Sequence, residues 1–451
     1  MCSISGVFGI STSCEAVERM NAAQKHRGPD DCGIAQVGQA ILGNTRLAII
    51  DTTAAGHQPM THPQTGNCIT YNGETYNFRE LRRELGGEWL SNTDTEVGLR
   101  AYAKWGVAAF AKLRGMFALA IWDQTNLTLV LARDPLGIKP LYYYVDKERL
   151  LFASELRALL ASGLVPRQLS SAGVDSYLAT GSVESPLTIV DGVKQLPPGH
   201  CLFVKPPLQI EVSEFAKPQS QSRPKNRDEA VARLRAELEE SVSLHLVSDV
   251  PLGVFLSGGM DSSALVALMH GLSDQKPKTF SVVFDEKNFT EAPFSRAVAE
   301  RFQTDHHEIR LSEDRLLELL PAAIAAIDQP TMDGINTFVV SNAVKQNGIT
   351  VALSGLGGDE LFGGYPSFRR AIKLDSMPAS SRRFLRAASG VGKLAFNGSV
   401  QRHKFWQLAN SDCTPADVYR ISRQLFEPQK GTKHTNGTNG NTLFPYTTLF
   451  R

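Results

Sequence analysis

Residues 257–263 read Ser-Gly-Gly-Met-Asp-Ser-Ser, set between the apolar run Val250-Pro-Leu-Gly-Val-Phe-Leu256 and Ala264-Leu-Val-Ala-Leu-Met269. That order predicts a buried strand, a turn of small residues and the start of a helix. Gly258 and Gly259 let the backbone approach an anion closely, and Ser262 and Ser263 add hydroxyls beside the free amides of a helix N-terminus. The stretch lacks the lysine of the G-x-x-x-x-G-K-[ST] nucleotide loop, so it does not match that motif. A Gly-Ser-rich strand–helix turn with no ligand is the plain alternative.

Downstream, Thr279-Phe-Ser-Val-Val-Phe284 reads as a second buried strand, Glu291 to Phe302 as a helix, and His306-His-Glu-Ile309 as the opening of a short strand. Adjacent strand residues point to opposite faces, so the two histidines are read as structural rather than as ligands of one metal. Val351-Ala-Leu-Ser-Gly-Leu-Gly-Gly-Asp-Glu-Leu-Phe-Gly-Gly-Tyr365 pairs a strand with a Gly-rich loop and two carboxylates. Upstream, Arg227 to Val247 carries Val231, Leu234, Leu238, Val242 and Leu246 at helical spacing. Residues 216–227, polar and Pro-containing, read as a linker. Strands alternating with helices imply a parallel sheet with ligands at the carboxyl ends of its strands. Both Gly-rich loops follow strands and can therefore converge on one ligand.

At 451 residues the chain is expected to hold two or three domains. A net charge of +1 gives no sign of a nucleic-acid partner, and no apolar run approaches the length of a membrane span. No basic segment precedes an apolar one at the N-terminus, so no secretory signal is read and a cytoplasmic setting is expected. Of the cysteines, Cys14, Cys32, Cys68, Cys201 and Cys413 show no metal-ligand spacing and read as reduced thiols.

Cys2 is different. Once the initiator Met is removed, its α-amino group sits beside its own thiol and can act as the base, an arrangement open only to an N-terminal nucleophile. That amine titrates near neutrality and suits proton transfer at cellular pH. Alone, Met-Cys is a common and uninformative start. Here it opens the strand-like Cys2-Ser-Ile-Ser-Gly-Val-Phe-Gly-Ile10, followed by His26-Arg-Gly-Pro-Asp30, Thr45-Arg-Leu-Ala-Ile-Ile-Asp51, Asn72-Gly-Glu-Thr-Tyr-Asn77 and Asn92-Thr-Asp-Thr-Glu96. Gly115-Met-Phe-Ala-Leu-Ala-Ile-Trp-Asp123 and Ala132-Arg-Asp-Pro-Leu-Gly-Ile-Lys-Pro-Leu-Tyr142 come next.

In order and spacing these motifs resemble the glutamine amidohydrolase domain of class II amidotransferases, and SGGMDSS resembles the pyrophosphate loop of ATP pyrophosphatases. Together, from Met1 to about Phe368, the chain is similar to the glutamine-dependent asparagine synthetases of the bacterial type. The fold so implied is an α+β N-terminal-nucleophile sandwich (αββα) followed by an α/β parallel-sheet ATP-pyrophosphatase domain. Its expected bounds are 2–215 for the amidotransferase domain, 216–227 for the linker and 228–429 for the synthetase-like domain.

The resemblance assigns roles residue by residue. Cys2 would attack the side-chain amide of glutamine, releasing ammonia. Asn72 and Gly73 would supply oxyanion donors, although Asn-Gly by itself favours a tight hairpin turn. Arg46 would bind the glutamine α-carboxylate and Asp94 its ammonium, the plainer readings being a surface arginine and a helix N-cap near Glu96. Glu74 falls in the same glutamine-binding set, while His26 and Arg27 are read as a structural loop over the site. Ser257, Gly258, Gly259, Ser262 and Ser263 would grip the pyrophosphate of ATP. Phe255 and Val282 would lie at adenosine, Ser354 and Gly355 at the nucleotide, and Asp261 and Asp359 would hold Mg2+. The implied partners are glutamine, ATP and aspartate or another carboxylate, without nucleic acid or membrane, and a homodimer is the assembly considered.

Two features depart from that pattern. Well-studied asparagine synthetases read Ser-Gly-Glu-Gly in the second signature, where this chain has Leu356. Aspartate is the favoured acceptor, with a sugar acid or peptide carboxylate as the alternative and a non-catalytic chain of the same fold as a third reading. Retention of Cys2, Arg46, Asn72, Gly73 and Asp94 together argues against the third. Second, residues 430–442 have no apolar period and read as disordered. The last nine residues, Leu443 to Arg451, match a translated sequencing adapter, so they are expected to be a read artefact standing where natural sequence is missing.

Overall fold

Apolar residues alternating along short strands build the first 214 residues into two six-stranded antiparallel sheets. In the computed structural model the described residues are 2–9, 12–217, 222–273, 275–284 and 291–376, with isolated positions from 378 to 421. The tail expected to lack structure lies outside them. Strands β1 (Ser3–Gly9), β2 (Asp31–Val37), β3 (Ala40–Arg46), β4 (Met60–Thr61), β5 (Cys68–Thr75), β6 (Gly115–Asp123) and β7 (Thr128–Arg133) come first. Strands β8 (Tyr142–Val145), β9 (Arg149–Ala153), β10 (Val193–Gln195), β11 (His200–Lys205) and β12 (Gln209–Glu214) follow. The sheet orders are β10-β8-β9-β1-β3-β2 and β12-β11-β7-β6-β5-β4.

The strand period of two decides which layer each side chain joins. Ile4, Phe8 and Leu42 from the first sheet meet Ala118, Ala120 and Trp122 from the second between the sheets. Val7 and Ile41 point the other way, to helices α1 (Cys14–Gln24) and, beyond α2 (Phe78–Leu85) and α3 (Asp94–Trp105), α4 (Leu156–Ala161). Leu119 and Ile121 face α2 and α3. Helix, sheet, sheet, helix is the αββα order. Each large side chain so buried contributes about 1.5–3 kcal/mol. Helix α5 (Ser171–Thr180) follows on the way to β10.

The second half alternates helix and strand. Its elements are α6 (Arg227–His245), β13 (Leu252–Phe255), α7 (Met260–Leu272), β14 (Lys278–Phe284), α8 (Ala292–Arg301) and β15 (Asp305–Leu311). Then come α9 (Glu313–Ala326), α10 (Gly334–Gln346), β16 (Val351–Leu353), α11 (Gly358–Phe362) and α12 (Pro366–Asp375). The strands form a parallel sheet, order β15-β14-β13-β16. The expected apolar stripe of α6 is used only at its end: Val242 and Leu246 join the core with Val254 and Val266, whereas Val231 and Leu234 are exposed. His306 bonds Thr279 Oγ1 at 2.8 Å and His307 stacks on Phe280, on opposite faces of β15.

The halves touch directly. Asp249 N–H donates to Ile49 O at 3.0 Å, and Asp51 N–H donates to Asp249 Oδ2 at 2.8 Å. The Tyr76 ring lies 3.9 Å from that of His245.

Candidate active sites

Cys2 stands at the head of β1, and β1 is central in its sheet. Its thiol donates to Leu47 O at 3.5 Å and accepts from Leu47 N–H at 3.4 Å. A cavity opens there and brings together Cys2, Arg46, Asn72, Gly73, Glu74 and Asp94, six residues spread over 93 positions of sequence. Burial pushes the Cys2 thiol up; the Leu47 backbone and the Lys139 charge oppose that rise.

The plain alternative of a hairpin turn at Asn72-Gly73 does not hold. Asn72 and Gly73 are not in a hairpin turn but inside β5, paired with Ala118 and Phe117 of β6. A Cβ on Gly73 would stand 2.8 Å from Phe117 Cα, so glycine serves close strand approach here. Asn72 is buried; its Nδ2 donates to Ser154 Oγ at 3.4 Å, and its Oδ1 has no hydrogen-bond partner among the described residues. Turning the amide by half a turn would let Oδ1 accept from Ser154 and present Nδ2 where Oδ1 now lies, since the network alone tells amide O from N.

Asp94 does not cap its helix. Thr93 is the N-cap of α3, its hydroxyl accepting from Glu96 N–H at 3.2 Å. The Asp94 carboxylate instead accepts from Thr75 N–H at 2.8 Å and lines the cavity. Burial, reinforced by the Glu74 charge, pushes it up to about 7. Arg46 is buried rather than on the surface and holds the loop beyond β3, donating to Thr53 O at 3.0 Å, Ile50 O at 3.3 Å and also Asp51 O.

Sequence reasoning passed over Lys139, which is buried and lines the same cavity. Burial lowers its ammonium, and the Glu74 carboxylate opposes that. Glu74 itself is raised by burial and held down by Lys139. The sequence signal was slight, its place in the Ala132–Tyr142 motif, because its burial and its closeness to Glu74 appear only in the fold. Arg27 does more than close a loop: its Nε donates to the Cys2 carbonyl at 3.1 Å and its Nη1 to Glu155 Oε1 at 3.0 Å.

The second cluster sits at the carboxyl ends of neighbouring strands β13 and β16, paired Val254 to Leu353. The N-cap of α7 is Gly259, with no side-chain cap, so the first amides of that helix keep their donor capacity. Gly258 adopts φ +81°, and a Cβ there would stand 2.6 Å from Phe294 Cβ. Ser257 and Ser262 share a hydroxyl contact of 3.0 Å, and Gly259 N–H donates to Ser257 Oγ at 3.2 Å. Ser263 lies in the first turn of α7, its N–H donating to Gly259 O at 3.0 Å. From the second loop, Gly355 packs on this turn so closely that a Cβ would stand 2.9 Å from Ser262 N. The two Gly-rich loops therefore meet.

Gly358 packs on the Asp261 carboxylate, where a Cβ would stand 2.5 Å from Cγ, and Asp359 is the next residue. Ser354 Oγ accepts from Leu356 N–H at 3.1 Å. Val282 lies toward the carboxyl end of β14, whereas Phe255 packs into the apolar cluster of Phe280 and Val344. Among the described residues no group of three or more His, Cys, Asp or Glu side chains is arranged to hold a metal unaided, and no helix is long and apolar enough to cross a membrane.

Comparison with known proteins bears on both clusters. Residues 1–214 match the glutamine amidotransferase domain family, and residues 233–435 match the asparagine synthase family. The chain is 33% identical over 442 residues to asparagine synthetase [glutamine-hydrolyzing] 1 of Bacillus subtilis, covering 95% of this chain and 68% of that protein. The chain belongs to the glutamine-hydrolysing asparagine synthetase family. A putative member from Methanocaldococcus jannaschii is 34% identical over 408 residues, 83% of this chain and 78% of that one. The amidase chry2 of Gibberella zeae is 32% identical over 373 residues, 76% of this chain and 54% of its own. As in this family, the chain joins an amidotransferase domain to an ATP-dependent ligase domain. Leu356, where the family's well-studied members carry Glu, is exposed beside Ser354, and the nearby Glu360 turns inward to accept from Tyr365 OH at 2.6 Å.

Proposed function

We propose that this enzyme makes asparagine from aspartate, with glutamine as nitrogen donor and ATP as energy source. The observation that carries the reading is the meeting of six residues from four stretches of sequence around one cavity at Cys2, together with the contact of the two Gly-rich loops at Gly355 and Ser262.

At the first site the Cys2 thiolate attacks the glutamine amide carbon, with its own freed α-amine taking the thiol proton. The C–N bond breaks, ammonia leaves, and water hydrolyses the thioester to glutamate. Asn72 and the Gly73 N–H face the developing oxyanion. Asp94 and Glu74 receive the α-ammonium, and Arg46 the α-carboxylate.

At the second site an oxygen of the acceptor carboxylate attacks the α-phosphorus of ATP, and the bond to the β-phosphate breaks to release pyrophosphate. Ammonia then attacks the acyl carbon and AMP leaves. The amides of the first turn of α7, with Ser257, Ser262 and Ser263, grip the leaving phosphates. Asp261 and Asp359 fit Mg2+, a hard cation content with one or two carboxylates when phosphate oxygens complete its shell. Bound there, it would neutralise charge on the phosphates. Ammonia passes between the sites within the protein, because in water it would be protonated and lose its nucleophilicity. The direct contacts between the halves support such a path.

A reducing cytoplasm fits the five described cysteines, all free thiols. A net charge of +1 fits the absence of a nucleic-acid partner from this scheme.

The test replaces the nucleophile. Cys2→Ala is expected to abolish glutamine-driven synthesis while ammonia, ATP and aspartate still give asparagine and AMP. Glutamine-driven product from that variant would refute the assignment of Cys2. Turnover with another carboxylate but none with aspartate would refute the acceptor alone.

A further inference from the structure

Helix α4 begins one residue after Glu155, and Glu155 makes no side-chain cap to it. The cap comes from the other half of the chain. Asp328 Oδ2 accepts from Leu156 N–H at 2.6 Å and Oδ1 from Arg157 N–H at 2.9 Å, with Arg157 Nε also donating to Oδ1 at 3.2 Å. Asp328 lies in the connection between α9 and α10. Its neighbours fasten the same stretch to the first half: Gln329 Oε1 accepts from Ile189 N–H at 3.1 Å, and Met332 N–H donates to Gly181 O at 3.1 Å.

Freed from capping, the Glu155 carboxylate turns to the nucleophile. Its Oε1 holds Arg27 Nη1 at 3.0 Å and His26 Nε2 at 3.2 Å, and Arg27 Nε reaches the Cys2 carbonyl at 3.1 Å. Burial alone would raise Glu155, but His26 and Arg27 outweigh it and hold the carboxyl below its usual range. Ser154, one residue earlier, takes Ile4 N–H at 3.0 Å and the Asn72 amide at 3.4 Å. The start of α4 thus meets Asn72 directly through Ser154 and reaches the Cys2 carbonyl through Arg27. On the other side, α10 runs from the Asp328 segment into β16 and the loop at Gly355.

The geometry points to Asp328 as a positioning residue for glutamine hydrolysis: by capping α4 from the synthetase half it sets Glu155, and through Arg27 the Cys2 backbone, so that the first site is fully formed only while the 328–332 segment is docked. This rests on the reading of Cys2 as the glutamine nucleophile. It supplies a physical link by which the ATP half can govern ammonia release.

The experiment uses the full chain and four variants: Asp328→Ala, Asp328→Glu, Arg27→Ala and the double variant Asp328→Ala/Arg27→Ala. Asp328→Ala is expected to lower kcat for glutamine hydrolysis by about tenfold, with KM within about twofold and ammonia-driven pyrophosphate release near the wild-type rate. Asp328→Glu, able to cap again, restores most of the loss. In the Arg27→Ala background the Asp328→Ala change has little further effect, because both act on one path. Unchanged glutamine hydrolysis in Asp328→Ala, equal losses at both sites, or additive effects in the double variant would each overturn the proposal. A wild-type chain that does not hydrolyse glutamine would overturn the reading of Cys2, and this proposal with it.

Discussion

Gly355 rests against Ser262 with no room for a side chain, since a Cβ on Gly355 would stand 2.9 Å from the Ser262 amide nitrogen and 3.0 Å from Asp261 Cβ. The neighbours are backbone and the first turn of a helix, which cannot swing aside as the tip of a flexible side chain can. Gly355→Ala is therefore expected to push the second loop off α7. A misplacement of this kind should lower pyrophosphate release by roughly tenfold to a hundredfold. Glutamine hydrolysis should stay within about twofold, because Cys2 lies in the other half. A pyrophosphate-release assay run beside a glutaminase assay decides it, and equal loss in both would mean misfolding rather than a local shift.

The Asp261 carboxylate lies against Gly358, and Asp359 follows Gly358 in the chain with its own carboxylate against Gly364. Replacing either carboxylate by its amide keeps size and removes a charge that a divalent cation requires. Asp261→Asn and Asp359→Asn are each expected to reduce pyrophosphate release by about a hundredfold or more at low magnesium. Normal release under those conditions by either variant would remove that residue from the metal site.

What could be read from the chain before its structure follows a physical divide. Residues inside short motifs were legible, because a strand followed by glycines and a helix start presents the same backbone donors wherever it occurs. Hence Ser257, Gly258 and Gly259 could be placed at a strand–helix turn, and Cys2 at the head of a strand. At Asn72-Gly73 the plain alternative of a turn, which the pair favours intrinsically, gives way to cross-strand crowding against Phe117. The plainer alternative for Asp94, a helix N-cap, gives way because Thr93 one residue earlier reaches the helix amides first. Lys139 and Asp328 left little trace, because their meaning lies in contacts across the tertiary fold. Asp328 meets α4 from 172 positions away.

Lys139 offers a test of the unforeseen part of the cavity. Its charge lowers the Cys2 thiol against the upward push of burial. Lys139→Met keeps much of the bulk and removes the charge. Labelling of Cys2 by a glutamine-analogue electrophile at pH 7 should slow by about three- to tenfold, with the labelling profile moved to higher pH. Glu74 loses its partner as well, so glutamine KM should also rise. A labelling profile that does not move would show that Lys139 serves packing alone.

Asp94 sets the expected pH dependence of glutamine binding. Its carboxyl titrates at about 7 because burial and the neighbouring Glu74 charge both disfavour its ionised form. A ligand ammonium placed against it favours that ionised form, so at a pH below about 7 binding must expel a proton. Mass action then makes affinity increase as pH rises, by up to tenfold per unit, and level off above about pH 7. The other charged groups around the cavity are Arg46, Lys139 and Glu74. Glu74 is also raised by burial, so it broadens the transition without reversing its sign. The measurement is glutamine KM from pH 5.5 to 8.5 for the wild type and for Asp94→Asn. The wild type should show KM falling toward a plateau above neutrality. The variant should bind more weakly, with a flatter profile that retains only the Glu74 contribution. A wild-type KM that rises with pH would show that the ammonium of glutamine is received elsewhere.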